Sequence, residues 1–199
     1  LFFTAILMVL LWGFYRTYIQ FFPGFKGFQG IQHFHGAMML TWMIMLIVQP
    51  LLIVSGRTAI HRIVGKLSYV VAPLVLISIF LVLRLSYFKA LATQPKEVAL
   101  GGIALQFPIL IYGLAIKNKA NTTFHMRYMI GTSLLMIGPG LGRALIIYFD
   151  MPFPAAVTMS DYIVLGLAAI MLLYVLIRKG PWIPYTVVIA LLYMCHFVF

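Results

Sequence analysis

One cysteine and three acidic residues stand in a chain of 199. The lone thiol, Cys195, excludes an internal disulfide and a cysteine-built metal cage, so cysteine usage says nothing about the redox compartment. Charge of either sign is scarce, at 9% of residues, against 64% hydrophobic residues and a mean hydropathy of +1.08. A soluble globule of this length cannot hide that much apolar surface from water, and the composition reads as a polytopic membrane protein. No His-Glu-x-x-His pair, Cys-x-x-Cys pair or paired catalytic carboxylate occurs, and no serine stands near a histidine as a nucleophile signal. The pattern therefore names no catalytic residue and leaves open whether the protein is an enzyme. No small-residue cleavage site follows residues 1–22, which read as a retained span. The first residue is leucine, and the natural chain is expected to extend further.

What is present is hydrocarbon, broken by glycine, proline and charge into about seven apolar stretches, most near the ~20 residues a helix needs to cross a bilayer. They lie near 1–20, 34–55, 61–88, 97–116, 123–149, 158–178 and 182–199. Continuous apolar runs without two-residue alternation favour helices over a membrane barrel. The expectation is an all-α helix bundle with about seven transmembrane helices, forming a single domain over 1–199. The loop from Phe21 to Gln32 is rich in Gly and Phe and suits the membrane interface. Fourteen Lys and Arg give a formal charge of +11. In a soluble domain that would suit nucleic acid, but here the cations fall in short loops and at segment ends, where they meet lipid headgroups.

Seven crossings place alternate segment ends on opposite faces. One face, side B, takes Arg57, Arg62, Lys66, Lys117, Lys119, Arg127, Arg178 and Lys179. The other, side A, takes Arg16, Lys26, Arg84, Lys89, Lys96 and Arg143, with the acids Glu97, Asp150 and Asp161. The Lys/Arg bias points to side B as cytoplasmic, with the amino terminus inside and the carboxyl terminus outside, as in a bacterial inner membrane.

The five histidines sit at the ends of these stretches, where ionisable side chains in a lipid-embedded chain are costly enough to mark function. His61 and His125 open two parallel helices on side B, and His35 and His196 lie toward side A. Two histidines at matching depth on different helices are what bis-histidine haem ligation needs. The alternative for any one of them is an interfacial side chain bonded to a carbonyl, a headgroup or water. The positive helix N-terminus disfavours imidazolium and keeps the neutral, ligand-competent ring. His33 and His35 are about 200° apart on a regular helix, so they share a metal only if the helix begins after His33.

The stretch from His125 to Arg143 is the richest. Eighteen residues apart, the two project from one helix face about 27 Å apart along the axis. Between them Gly138-Pro-Gly-Leu-Gly lacks the Lys-Ser/Thr of a phosphate loop, and it suits a kink or the close approach of a neighbouring helix or a flat cofactor. Asp161 is the natural partner for Arg143, because an unpaired charge at that depth is expensive. His35, Arg143, Asp161 and His196 would line one side-A cavity, fit for a haem with propionates on Arg143, a quinone headgroup, or a metal on imidazole and carboxylate. Trp42 and Gln49 follow His35 at steps of seven and suit packing and interhelical hydrogen bonding.

His61-Arg-Ile-Val-Gly65-Lys-Leu-Ser-Tyr69 and His125-Met-Arg127-Tyr-Met129, with Pro139 and Arg143 after it, resemble the motifs of a bacterial family of predicted integral membrane proteins of unknown function. The resemblance covers roughly 33 to 145. It implies a multi-helix membrane fold in which His61, Arg62, Gly65, His125 and Arg143 form one constellation. More loosely, histidines paired on opposite faces resemble transmembrane dihaem cytochromes b, which implies haem b on His61 with His125 and on His35 with His196. The chain departs from them in placing Gln106 where the fourth helix would carry a ligand. Seven helices with three His and an Asp on side A also resemble membrane zinc hydrolases of the ceramidase and adiponectin-receptor type. That resemblance implies a site of His33, His35, His196 and Asp161 for zinc, copper or iron. It leaves His61 and His125 unused.

The preferred expectation is an integral membrane haem protein transferring electrons within or across the bilayer, with a quinone or a redox protein as partner. A metal-dependent membrane hydrolase, and a transporter or structural subunit holding no cofactor, are the alternatives.

Overall fold

The computed structural model describes residues 1–90 and 106–196, with side chains over 1–85 and 107–194. Lys96, Glu97 and the start of the fourth apolar stretch, together with the side chains of Lys89, Gln106, Cys195 and His196, lie outside the described residues.

Seven α-helices occupy the described residues: α1 (Phe2–Tyr15), α2 (Gly30–Val54), α3 (Thr58–Ala90), α4 (Gln106–Lys117), α5 (Thr122–Phe149), α6 (Phe153–Ile177) and α7 (Ile183–His196), with a 3₁₀ turn at Ile19–Phe21. Four of them, α2, α3, α5 and α6, are long and apolar enough to cross a membrane. The all-α, membrane-associated class thus follows from the continuous apolar runs.

The boundaries depart from the apolar stretches for local reasons. Helix α2 starts at Gly30 because Gln29 and Gln32 cap it reciprocally, the Gln29 N–H donating to Gln32 Oε1 at 2.7 Å. Helix α6 starts at Phe153, five residues before the expected 158. Pro154 is tolerated in a first turn, whose N–H groups have no intrahelical partner. Helix α1 ends at Tyr15 rather than 20, and the chain then turns through the aromatic loop. Helix α5 ends on Asp150 in the left-handed region (φ 51), a conformation short polar side chains tolerate, and its N–H closes on the Leu145 carbonyl.

Helix α5 is the hub. Half of its most apolar window is buried, against 17–22% for α2, α3 and α6. Helices α1, α4, α6 and α7 all pack on it, while α2 and α3 form an antiparallel pair that meets the rest more sparsely. Small residues make the hub possible. Gly13 of α1 lies against Gly140 of α5, and a Cβ on Gly13 would overlap the Gly140 carbonyl. A Cβ on Gly140 would meet the Leu10 side chain at 2.9 Å. The Gly-Pro-Gly-Leu-Gly run therefore serves close helix approach, as small residues do between membrane helices.

Helix α3 shows how a helix in lipid divides its faces. At ~100° per residue, Gly65, Ser68, Ala72 and Val75 fall on one side with His61, and Ser68, Ala72 and Val75 are buried. Tyr69, Ile77 and Phe80 fall about 80–160° round the helix from His61 and are 45%, 49% and 57% exposed. Charges bracket three of the four long helices at a common spacing. Lys66 to Arg84 spans about 27 Å, Arg127 to Arg143 about 24 Å and Asp161 to Arg178 about 25 Å, close to the thickness of a hydrocarbon core.

Candidate functional site: histidines at the two ends of the bundle

At the side-A end, His35 Nδ1 lies 3.0 Å from the Ser78 hydroxyl on α3. Ser78 is fully buried and donates its single proton to the Val75 carbonyl at 2.7 Å. Its oxygen therefore accepts, and His35 carries its proton on Nδ1 with an open lone pair on Nε2. Arg143 lies close enough to His35 to act on it electrostatically. The guanidinium sits 4.5 Å over the Phe14 ring of α1 and donates from Nη1 to the Pro139 carbonyl at 2.9 Å. Asp161 is partly buried in the third turn of α6.

His33 faces elsewhere. Because α2 begins at Gly30, His33 and His35 are both helical, and the condition for sharing one metal is not met. His33 Nδ1 is 2.5 Å from the Tyr18 hydroxyl, with the Phe25 ring edge-on at 4.9 Å and Phe28 beside it. Burial pushes the Tyr18 phenol above its ordinary value, so it stays protonated and donates to Nδ1. That leaves the His33 proton on Nε2.

At the side-B end the two histidines differ in the same way. His125 Nδ1 lies 2.8 Å from the Ala115 carbonyl in the last turn of α4. A carbonyl only accepts, so Nδ1 donates and Nε2 is turned away from that bond. His61 meets Gln49 of α2. With its amide nitrogen toward His61, Gln49 donates to Nδ1 and to the His61 carbonyl (3.3 Å), and its oxygen accepts from the Gly65 N–H at 2.8 Å. This is the orientation that satisfies every group, and it makes His61 Nδ1 an acceptor and Nε2 an N–H.

Helix α4 sets the depth of both. Ser68 Oγ is 2.9 Å from the Tyr112 hydroxyl, and the Tyr112 ring packs edge-on against Trp42 at 5.5 Å. His61 lies about 10 Å outward of Ser68, and Ala115 about 4.5 Å outward of Tyr112, so His61 and His125 agree in depth to about one turn. Arg127 donates to the Pro181 carbonyl and lies 5.7 Å over the Tyr185 ring, pinning α5 to the start of α7.

Of the histidines' hydrogen-bond partners, Gln49 alone carries a sequence signal, as an interhelical hydrogen-bonding residue on α2. Ser68 lies on the same side of α3 as His61 by helical spacing, while Ser78, about 100° round from His61, is buried by the packing of α2. The Ala115 carbonyl carries no sequence signal at all. Among the described residues every buried side-chain nitrogen and oxygen has a hydrogen-bond partner. Among them, too, no three His, Cys, Asp or Glu side chains converge as a metal cage. Comparison with family models, curated proteins and solved structures returns no match.

Proposed function

We propose that this chain is an integral membrane protein of seven crossings that binds haem b through imidazoles and passes electrons within or across the bilayer. The observation that carries the reading is the locked tautomer at each end. His125 on the Ala115 carbonyl and His35 on Ser78 are each oriented through Nδ1 by a neighbouring oxygen, as ligating histidines usually are, which leaves Nε2 as the nitrogen for a ligand. Helices α1, α4 and α7 complete the seven crossings beside the four long ones. The side-B excess of Lys and Arg supports a cytoplasmic amino terminus.

The donor set suits a porphyrin better than a bare ion. Single imidazoles on separate helices would hold its iron, and the guanidinium near His35 would meet its carboxylates. His125 pairs with His61 across the side-B site. With Gln49 donating to its Nδ1, His61 carries its proton on Nε2 and would have to shift it to Nδ1 to take that role. His35 with His196, whose side chain lies outside the described residues, would hold the group at side A, and Arg143 would meet its propionates. The bound group would supply a one-electron couple, and a quinone or a redox protein would exchange electrons with it. The chain's own contribution is to fix ring orientation and proton position.

His125→Ala tests the assignment. The variant should insert normally and lose the side-B component of a b-type reduced-minus-oxidised spectrum. Retention of a full six-coordinate spectrum would overturn it.

A further inference from the structure

We propose that the outward face of α3, with the loop between α4 and α5, is a binding site for an anionic phospholipid of the side-B leaflet. Arg62, Lys66 and Tyr69 follow one another at helical steps of four and three and share one exposed stripe. Lys119, from the α4–α5 loop, closes the cluster by donating to the Tyr69 hydroxyl at 3.5 Å. Three cations and a phenol thus gather within about 10 Å of one another in depth, at the side-B end. The described carboxylates, Asp150 and Asp161, stand at the other end of the bundle, at the end of α5 and near the start of α6. A phosphate diester of an anionic lipid is the complementary group, met by charge-assisted hydrogen bonds.

The same stripe continues inward over Pro73, Ile77 and Phe80, all exposed among the described residues. It reaches Arg84 about 27 Å from Lys66, the span of a hydrocarbon core. An acyl chain laid along this face would meet only apolar side chains below Tyr69. Helix α3 therefore offers headgroup and tail contacts in the order a phospholipid presents them. Its inward face is taken up by Ser68 and Ser78, so the helix separates its lipid side from its polar side. The site is independent of any haem.

The test is the association of spin-labelled phosphatidylglycerol and phosphatidylcholine with the full chain in phosphatidylcholine vesicles. The wild type should prefer phosphatidylglycerol by roughly tenfold, as several membrane-proximal cations imply. The variant Arg62→Gln/Lys66→Gln/Lys119→Gln should fall to about twofold or less. A control removing charge elsewhere, Lys26→Gln/Arg178→Gln, should keep the full preference. Excess inorganic phosphate should compete no better than chloride at equal ionic strength. Equal association of the two lipids with the wild type would overturn the proposal without any variant. So would a triple variant that keeps its preference, a control that loses it equally, or displacement by free phosphate.

Discussion

The two ends of the bundle each carry a pair of described histidines, and within each pair the rings are held in opposite senses. At side A, His35 donates from Nδ1 to Ser78, while His33 accepts at Nδ1 from Tyr18. At side B, His125 donates from Nδ1 to the Ala115 carbonyl, while His61 accepts from Gln49. Residue type and depth are therefore not what separates a ligand-ready imidazole from a hydrogen-bonding one. The neighbour that fixes the proton decides it, because only the ring without an Nε2 proton has a lone pair to offer. The ends differ in how they are braced. Side A adds to its side-chain bonds a backbone contact between Gly13 and Gly140, whereas side B has side-chain bonds from Gln49, Arg127 and Ser68.

Breaking the side-A brace should have the largest effect. Gly140→Leu drives a side chain into the α1 backbone and should cost about 3 kcal/mol or more. Thermal unfolding in detergent reads this directly, and an unchanged midpoint would mean that the two helices are not so close. Next is Ser78→Ala, which removes the acceptor of a buried Nδ1–H and should cost about 1–3 kcal/mol. Histidine ¹⁵N spectra should then show His35 no longer fixed in one tautomer while His125 stays unchanged.

A subtler substitution sharpens the contrast at side B. Gln49→Glu replaces a donor with an acceptor at His61, so the imidazole proton should move to Nδ1 and open Nε2. The stability change should be about 1 kcal/mol, and the ¹⁵N pattern of His61 should come to match that of His125. If His61 keeps its proton on Nε2, Gln49 is not what sets it.

Tyr18→Phe should have the smallest effect, within about 1 kcal/mol. Its signature lies in pH dependence. The folded-state phenol titrates above its ordinary value, so its contribution is complete below about pH 10 and lost as pH rises through the raised value. Wild type should lose that stability in alkali, and the Phe variant should lack this component.

Much of the fold was legible because a bilayer asks for long apolar runs and little else. The stretch expected at 123–149 is α5 at Thr122–Phe149, and the glycine run inside it is the close-packing surface. The start of α2 was hidden because Gly30 and the glutamines around it read as loop, while the cap that starts the helix is a reciprocal side-chain contact. That is why His33 joined His35 as a metal ligand on paper and points to Tyr18 in the structure. Ser78 is one small hydroxyl in a long apolar helix, and its meaning emerges only when α2 packs against α3. Gln49, read as an interhelical hydrogen-bonding residue, proves to bond His61 and Gly65.

The most direct test of the haem reading is the visible spectrum of the purified wild-type protein, oxidised and dithionite-reduced, with metal analysis of the same sample. A sharp reduced b-type band with stoichiometric iron is expected. A colourless protein, whether it carries zinc or no metal, would contradict it.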